Sequence, residues 1–148
     1  MSRWLMAVAL IGAAGWSPAA AQGQADRDGV RRAVLDYVEG FYEGDSTKFL
    51  RGVRPEFFKY GFFPARDGGG YKGERMSWDD ALAYIRNVKE RKRFAPADAP
   101  KGIDVYDVND QTASAKLTAF WGIDYLLLAK YDGRWMISHV LWQTPPKK

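Results

Sequence analysis

Residues 112–144 read TASAKLTAFWGIDYLLLAKYDGRWMISHVLWQT. Over 112–121, Ala113, Ala115, Leu117, Ala119 and Trp121 alternate with Thr112, Ser114, Lys116, Thr118 and Phe120. That period of two marks a strand with one buried face. Residues 123–131 form the next strand, Asp132-Gly133 is a dipeptide suited to tight hairpins, and residues 134–144 return. Just upstream, 103–108 is a further strand and Asn109-Asp110 a turn. The last third of the chain therefore predicts four consecutive antiparallel strands.

The pattern changes on the N-terminal side. Val30, Val34, Val38 and Phe41 recur at helical spacing, with Ala33 and Tyr37 widening the apolar stripe. Asp28 stands where a cap is needed, and Gly44 is a left-handed stop. Asp45 or Ser46 opens a short helix through Phe49, Leu50 and Val53, with Pro55 just beyond it. Residues 57–63 are dense in aromatics that favour strands. The turn Asp67-Gly68-Gly69-Gly70 leads into a partner strand over 71–76. Ser77 with Asp80 forms an acidic variant of the capping box, and Trp78, Ala81, Leu82, Ile85 and Val88 give a third helix its apolar face. Residues 94–101, with two prolines, break the pattern. Helices segregated on one face of an antiparallel sheet define the α+β class. Long strands twist and curl, and a curled sheet under three helices encloses a hollow of the kind that holds small ligands.

The chain has 148 residues, 47% apolar and 15% aromatic, which suits one domain and excludes wholesale disorder. It has no Cys and one His, so disulfides, thiolate chemistry and a zinc site of His and Cys are excluded. Residues 1–21 read as a cleaved signal peptide: Arg3, then an apolar run too short to span a bilayer, then Pro18 and three alanines. Residues 22–27 are a flexible lead-in, 28–144 the domain and 145–148 a polar tail. The expected location is periplasmic or secreted, with no stable membrane insertion after cleavage. A net charge of +4 is too small to indicate nucleic acid. The basic cluster Lys89, Arg91, Lys92 and Arg93 closes a helix, where cations complement the dipole. The glycine run lacks the Lys and Ser or Thr of a phosphate loop, no Gly-x-Ser-x-Gly stretch is present, and no cofactor or metal is called for.

Three phrases carry a resemblance: Asp36-Tyr37-Val38-Glu39-Gly40-Phe41-Tyr42-Glu43-Gly44-Asp45, then Arg54-Pro55-Glu56-Phe57-Phe58-Lys59, and finally Asp124-Tyr125-Leu126-Leu127-Leu128-Ala129-Lys130 with Asp132-Gly133-Arg134-Trp135-Met136-Ile137 and Leu141-Trp142. In these and in element order the chain resembles the nuclear transport factor 2-like superfamily, and within it the bacterial putative lumazine-binding proteins. The resemblance implies a cone-shaped fold, with helices closing over a curved, mostly antiparallel sheet, and a homodimer through the outer sheet face. The chain departs from its relatives at Arg54 and Leu127, where many carry His, and at His139, where Asn is usual.

The candidate catalytic residues are Asp124 and His139; the candidate ligand-binding residues are Tyr37, Lys59, Tyr60, Asp124, Trp135 and His139. Imidazole is the side chain that ordinarily titrates near neutrality, and strict alternation puts His139 on one face with Trp135, Ile137 and Leu141. The alternatives for it are a structural role or the dimer face. Asp124 lies among apolar residues and, with Tyr37 or Tyr60, imitates the acid–phenol pairing of a ketosteroid isomerase-like site, an enzyme of this superfamily and a standard case of carboxyl tuning. Its plainer reading is a structural salt bridge to Lys130 or to an Arg. Lys59 and Tyr60 stand at the hairpin mouth, although a solvated edge lysine is the common case. Trp78, Trp121, Trp135 and Trp142 read as core or interface anchors. Three functions follow: an exported protein binding a small apolar or aromatic ligand, an acid–base enzyme of the isomerase, cyclase or dehydratase kind, or an interaction protein with a filled pocket.

Overall fold

A computed structural model describes residues 18–145. The signal-peptide reading of residues 1–21 falls almost wholly outside them. The elements run α1 (Pro18–Glu43), α2 (Ser46–Gly52), β1 (Val53–Pro64), β2 (Tyr71–Met76), α3 (Trp78–Glu90), β3 (Gly102–Val108), β4 (Thr112–Ala119), β5 (Gly122–Tyr131) and β6 (Arg134–Gln143). The six strands form one open sheet in the order β2-β1-β6-β5-β4-β3. Every neighbouring pair is antiparallel except β1 and β6, which run parallel. That pairing joins the N-terminal hairpin to the four-stranded C-terminal half. The architecture is α+β, three helices on a mixed, mostly antiparallel sheet.

Local sequence explains the boundaries. Gly44 takes φ +63° and ends α1, and the Asp45 carboxylate accepts from the Thr47 and Lys48 amides to cap α2. Ser77 and Asp80 close a reciprocal capping box at α3. Asp132 and Gly133 both adopt positive φ, as a hairpin turn matched to strand twist requires.

Two expectations need correction. Residues 22–27 are not a loose lead-in but part of α1, and Asp28 is not its cap. Gln22 bonds Asp26 and Gln24 bonds Asp28 one turn on, while Asp26 accepts from the Trp135 indole and pairs with Lys130. Docking to β5 and β6 thus anchors a segment whose composition alone looked weak. Second, Val53 opens β1 rather than ending α2, and Pro55, expected just beyond that helix, lies within β1. Proline is tolerated there because the β1–β6 register shifts between Val53 and Phe58.

The core lies between the helices and the inner sheet face. Val30, Val34, Tyr37 and Val38 of α1 and Ile85 of α3 are buried against Leu117, Leu126, Leu128, Ile137 and Val140. The alternation of β4 is realised, with Ala113, Ala115, Leu117 and Ala119 all inward. The opposite face carries Phe58, Tyr106, Tyr125, Leu127 and Leu141 exposed.

Candidate functional site

Alternation along β1 sends Phe57, Lys59 and Gly61 inward. Lys59 is only 5% exposed, because β1 is an interior strand flanked by β2 and β6. The edge-strand reading of this lysine is therefore wrong. Alternation along β5 sends Asp124 inward, where it is fully buried. Tyr37 of α1 lies between them. Lys59 Nζ donates to Tyr37 Oη at 2.6 Å, Tyr37 Oη donates to Asp124 Oδ2 at 2.8 Å, and Trp121 Nε1 donates to Asp124 Oδ1 at 2.8 Å. Both carboxylate oxygens are thereby satisfied, as burial of a carboxylate requires. Lys130 does not pair with Asp124; it pairs with Asp26.

Aromatic rings surround the ammonium. Nζ lies 5.2 Å from the ring centre of Tyr37, 5.0 Å from Phe41, 5.6 Å from Trp121 and 5.8 Å from Trp142. Ring faces carry negative charge, so they partly replace the lost water. Burial pushes the Lys59 ammonium down from its ordinary value, and the Asp124 charge opposes that shift. Burial pushes the Tyr37 hydroxyl well up, reinforced by Asp124, which keeps the phenol a donor.

Lys59 faces a cavity of about 180 Å³ lined by Phe41, Met76, Tyr84, Phe120, Trp121 and Trp142. The cavity sits where α1, α3 and the turn between β4 and β5 meet the sheet. Tyr42 fixes that turn: its hydroxyl accepts from the Phe120 amide and donates to the Pro100 carbonyl, and its ring stacks on Phe120. The cavity is thus largely aromatic, with the Lys59 amine buried in its wall. Its volume is slightly above that of a cavity of about 150 Å³ that takes up benzene.

The other sequence candidates lie elsewhere. His139 points away from the cavity, on the outer face, with Nδ1 3.1 Å from Ser138 Oγ and its ring 6.3 Å from that of Phe58. Tyr60 shares that outer face, stacked on Phe58 and edge-on to Phe62. Trp135 is buried at the start of α1, bonded to Asp26 with the Lys130 ammonium over its ring. Tyr37, Lys59 and Asp124 are therefore brought together, and Tyr60, Trp135 and His139 are not. Strict alternation fails for His139 because the β5–β6 register slips between Leu127 and Leu128. Leu127 faces His139 and Leu128 faces Ile137, leaving Ser138 as a bulge that reverses the faces beyond it. Sequence reasoning missed Phe41, Met76, Tyr84 and Phe120 as cavity walls and took Trp121 and Trp142 for anchors. The one available signal was the Phe120-Trp121-Gly122 corner, where two aromatics meet a glycine with φ +138°.

Helices over an open, mostly antiparallel sheet with this strand order form the nuclear transport factor 2-like fold. Solved structures share it. A nuclear transport factor 2-like protein of unknown function from Shewanella baltica is 21% identical, with a TM-score of 0.61 over 84% of this chain and 97% of that one. One from Novosphingobium aromaticivorans, described as having a cystatin-like fold, is 13% identical with a TM-score of 0.63 over 88% of each chain. A third, from Silicibacter pomeroyi and also of unknown function, is 17% identical with a TM-score of 0.60 over 84% of this chain and 97% of that one. No curated protein matches the sequence. Residues 25–143 match the family described as "Putative lumazine-binding", and the chain belongs to that family.

Proposed function

We propose that this chain is an exported, non-catalytic binding protein that holds a compact planar aromatic molecule in the cavity beside Lys59. The observation that carries the reading is a buried amine at the wall of a largely apolar, aromatic-lined cavity. Flat rings gain by stacking on Trp121, Trp142 and Phe41, and one polar group fixes their orientation. The family's name points to lumazine, a flat two-ring compound with carbonyl oxygens, and that chemistry suits an amine donor. Export is supported by the sequence of residues 1–21. A second copy is the expected partner, seated on the outer face, where Phe58, Tyr125, Leu127 and Leu141 would be buried by two-fold pairing.

An acid–base enzyme built on Asp124 and His139 has less support, since the two lie on opposite faces of the sheet. Native mass spectrometry of the protein purified from its host tests the binding reading, together with titration of its tryptophan emission by lumazine. A retained small molecule or saturable quenching is expected, and Met76→Trp, which fills the cavity, should weaken binding about tenfold or more. An empty protein whose emission does not respond to lumazine would count against it.

A further inference from the structure

The geometry points to Lys59 as a nucleophile that captures the carbonyl group of a small aromatic aldehyde or ketone as a Schiff base. This rests on the cavity being the ligand site. Lys59 Nζ is buried, makes its one side-chain hydrogen bond among the described residues to a neutral phenol, and stands at the wall of the cavity. A lysine serving only as counter-ion to Asp124 would gain most by touching the carboxylate. Here Tyr37 stands between them, and the amine is left beside the aromatic walls.

The intervening phenol also supplies a route to the reactive form. Tyr37 Oη accepts from Lys59 and donates to Asp124. If one proton passes from Lys59 to Tyr37 as another passes from Tyr37 to Asp124, the ammonium and carboxylate become an amine and a carboxylic acid. No net charge is created, so the shift suits a site poor in water. Burial, which disfavours the ammonium, acts in the same direction. The free pair on Nζ then attacks the carbonyl carbon, and the carbonyl oxygen takes up a proton to give a carbinolamine. Loss of that hydroxyl as water, with the second nitrogen proton, leaves the imine. Amine and carbonyl compound are consumed, imine and one water are formed, and no oxidant or metal is needed. Desolvated lysines are activated for this chemistry. The cavity volume of about 180 Å³ limits the carbonyl compound to a small ring system.

Benzaldehyde with sodium cyanoborohydride at pH 7 tests the inference on the purified protein, read by intact mass and peptide mapping. Benzyl alcohol, similar in shape but unable to form an imine, reports binding alone by calorimetry. The expected result is one benzyl group per chain, with Lys59 labelled at least about tenfold faster than exposed Lys72 or Lys92. Lys59→Arg should remove that adduct, because a guanidinium does not deprotonate. Tyr37→Phe keeps the amine but breaks the relay, so labelling should slow at pH 7 and recover as pH rises, a readout that packing alone would not move. The wild-type peptide map decides the matter even if a variant fails to fold. Labelling spread evenly over the lysines overturns the inference. So does saturable benzyl alcohol binding without a Lys59 adduct, which leaves the binding reading intact. Neither binding nor adduct overturns the inference and weighs against the cavity reading as well.

Discussion

Replacing Asp124 by Asn probes whether Lys59 and Asp124 form one electrostatic unit. Tyr37 Oη stands 2.6 Å from Lys59 Nζ and 2.8 Å from Asp124 Oδ2, so the charges are roughly 5 Å apart and attract by about 3 kcal/mol at an effective dielectric constant of about 20. Asn removes that attraction and leaves a buried ammonium without its counter-charge. It also offers one acceptor oxygen where Tyr37 and Trp121 both donate. The expected loss is about 3–5 kcal/mol at pH 7, the usual cost of breaking a buried pair from one side. The pH dependence has a definite sign. Without Asp124 the folded-state value for Lys59 falls further below 10.5, so the unfolded chain binds more protons than the folded one. Stability of the variant relative to wild type should then recover as pH rises above that lowered value toward 10.5. Adding Lys59→Met to Asp124→Asn removes the stranded charge, so the double variant should be more stable than Asp124→Asn alone. Urea unfolding of wild type, both single variants and the double variant gives the coupling, expected at about 2 kcal/mol or more. Single losses that add within about 0.5 kcal/mol, with no added pH slope in Asp124→Asn, would refute the coupled unit.

Acid should weaken the protein through Asp26. Hydrogen bonds from Lys130, Trp135 and Gln22 hold this carboxyl down to about 2, so its contribution is complete above the ordinary carboxylate range and is lost between about pH 4 and pH 2. Urea midpoints measured across that window should fall, and Asp26→Asn should flatten the slope. Gly122→Ala should cost about 3 kcal/mol or more, since alanine is strained at φ +138° and its methyl would overlap the Gln143 carbonyl; thermal melting checks this. Ser77→Ala should cost about 1 kcal/mol by the same measurement, since it opens the capping box of α3. The proposed pairing on the outer face predicts that Leu127→Glu sediments as a monomer where the parent chain sediments as a dimer. An unchanged sedimentation coefficient would remove the second-copy reading of that face.

The elements themselves were largely legible because each carries its own local chemistry. Gly44 can take a left-handed conformation, Ser77 and Asp80 cap each other, and Asp132-Gly133 turns a hairpin whatever the rest of the chain does. The start of α1 was not legible, because residues 22–27 hold their helix through Asp26, Trp135 and Lys130, partners more than a hundred residues away. The parallel pairing of β1 with β6 has no local signature either. Without it Lys59 reads as an edge lysine; with it, β1 becomes interior and the same residue is buried.

Residue faces were readable from the sequence as far as the nearest bulge. Asp124 lies on β5, whose own alternation is unbroken from Gly122 to Leu128, and it faces inward with Leu126 and Leu128. His139 follows Ser138, the residue left without a partner, and every side chain beyond that point changes face. Trp135 and Ile137 are inward before the bulge; Val140 is inward after it, while His139 and Leu141 turn out. Neither glycine nor proline marks the position, so the sequence around it looks like an unbroken strand. The consequence is chemical as well as geometric. One inserted serine separates the imidazole from the buried carboxylate and removes the conventional acid–base pair from the interior. The amine of Lys59 is left as the buried titratable group at the cavity wall.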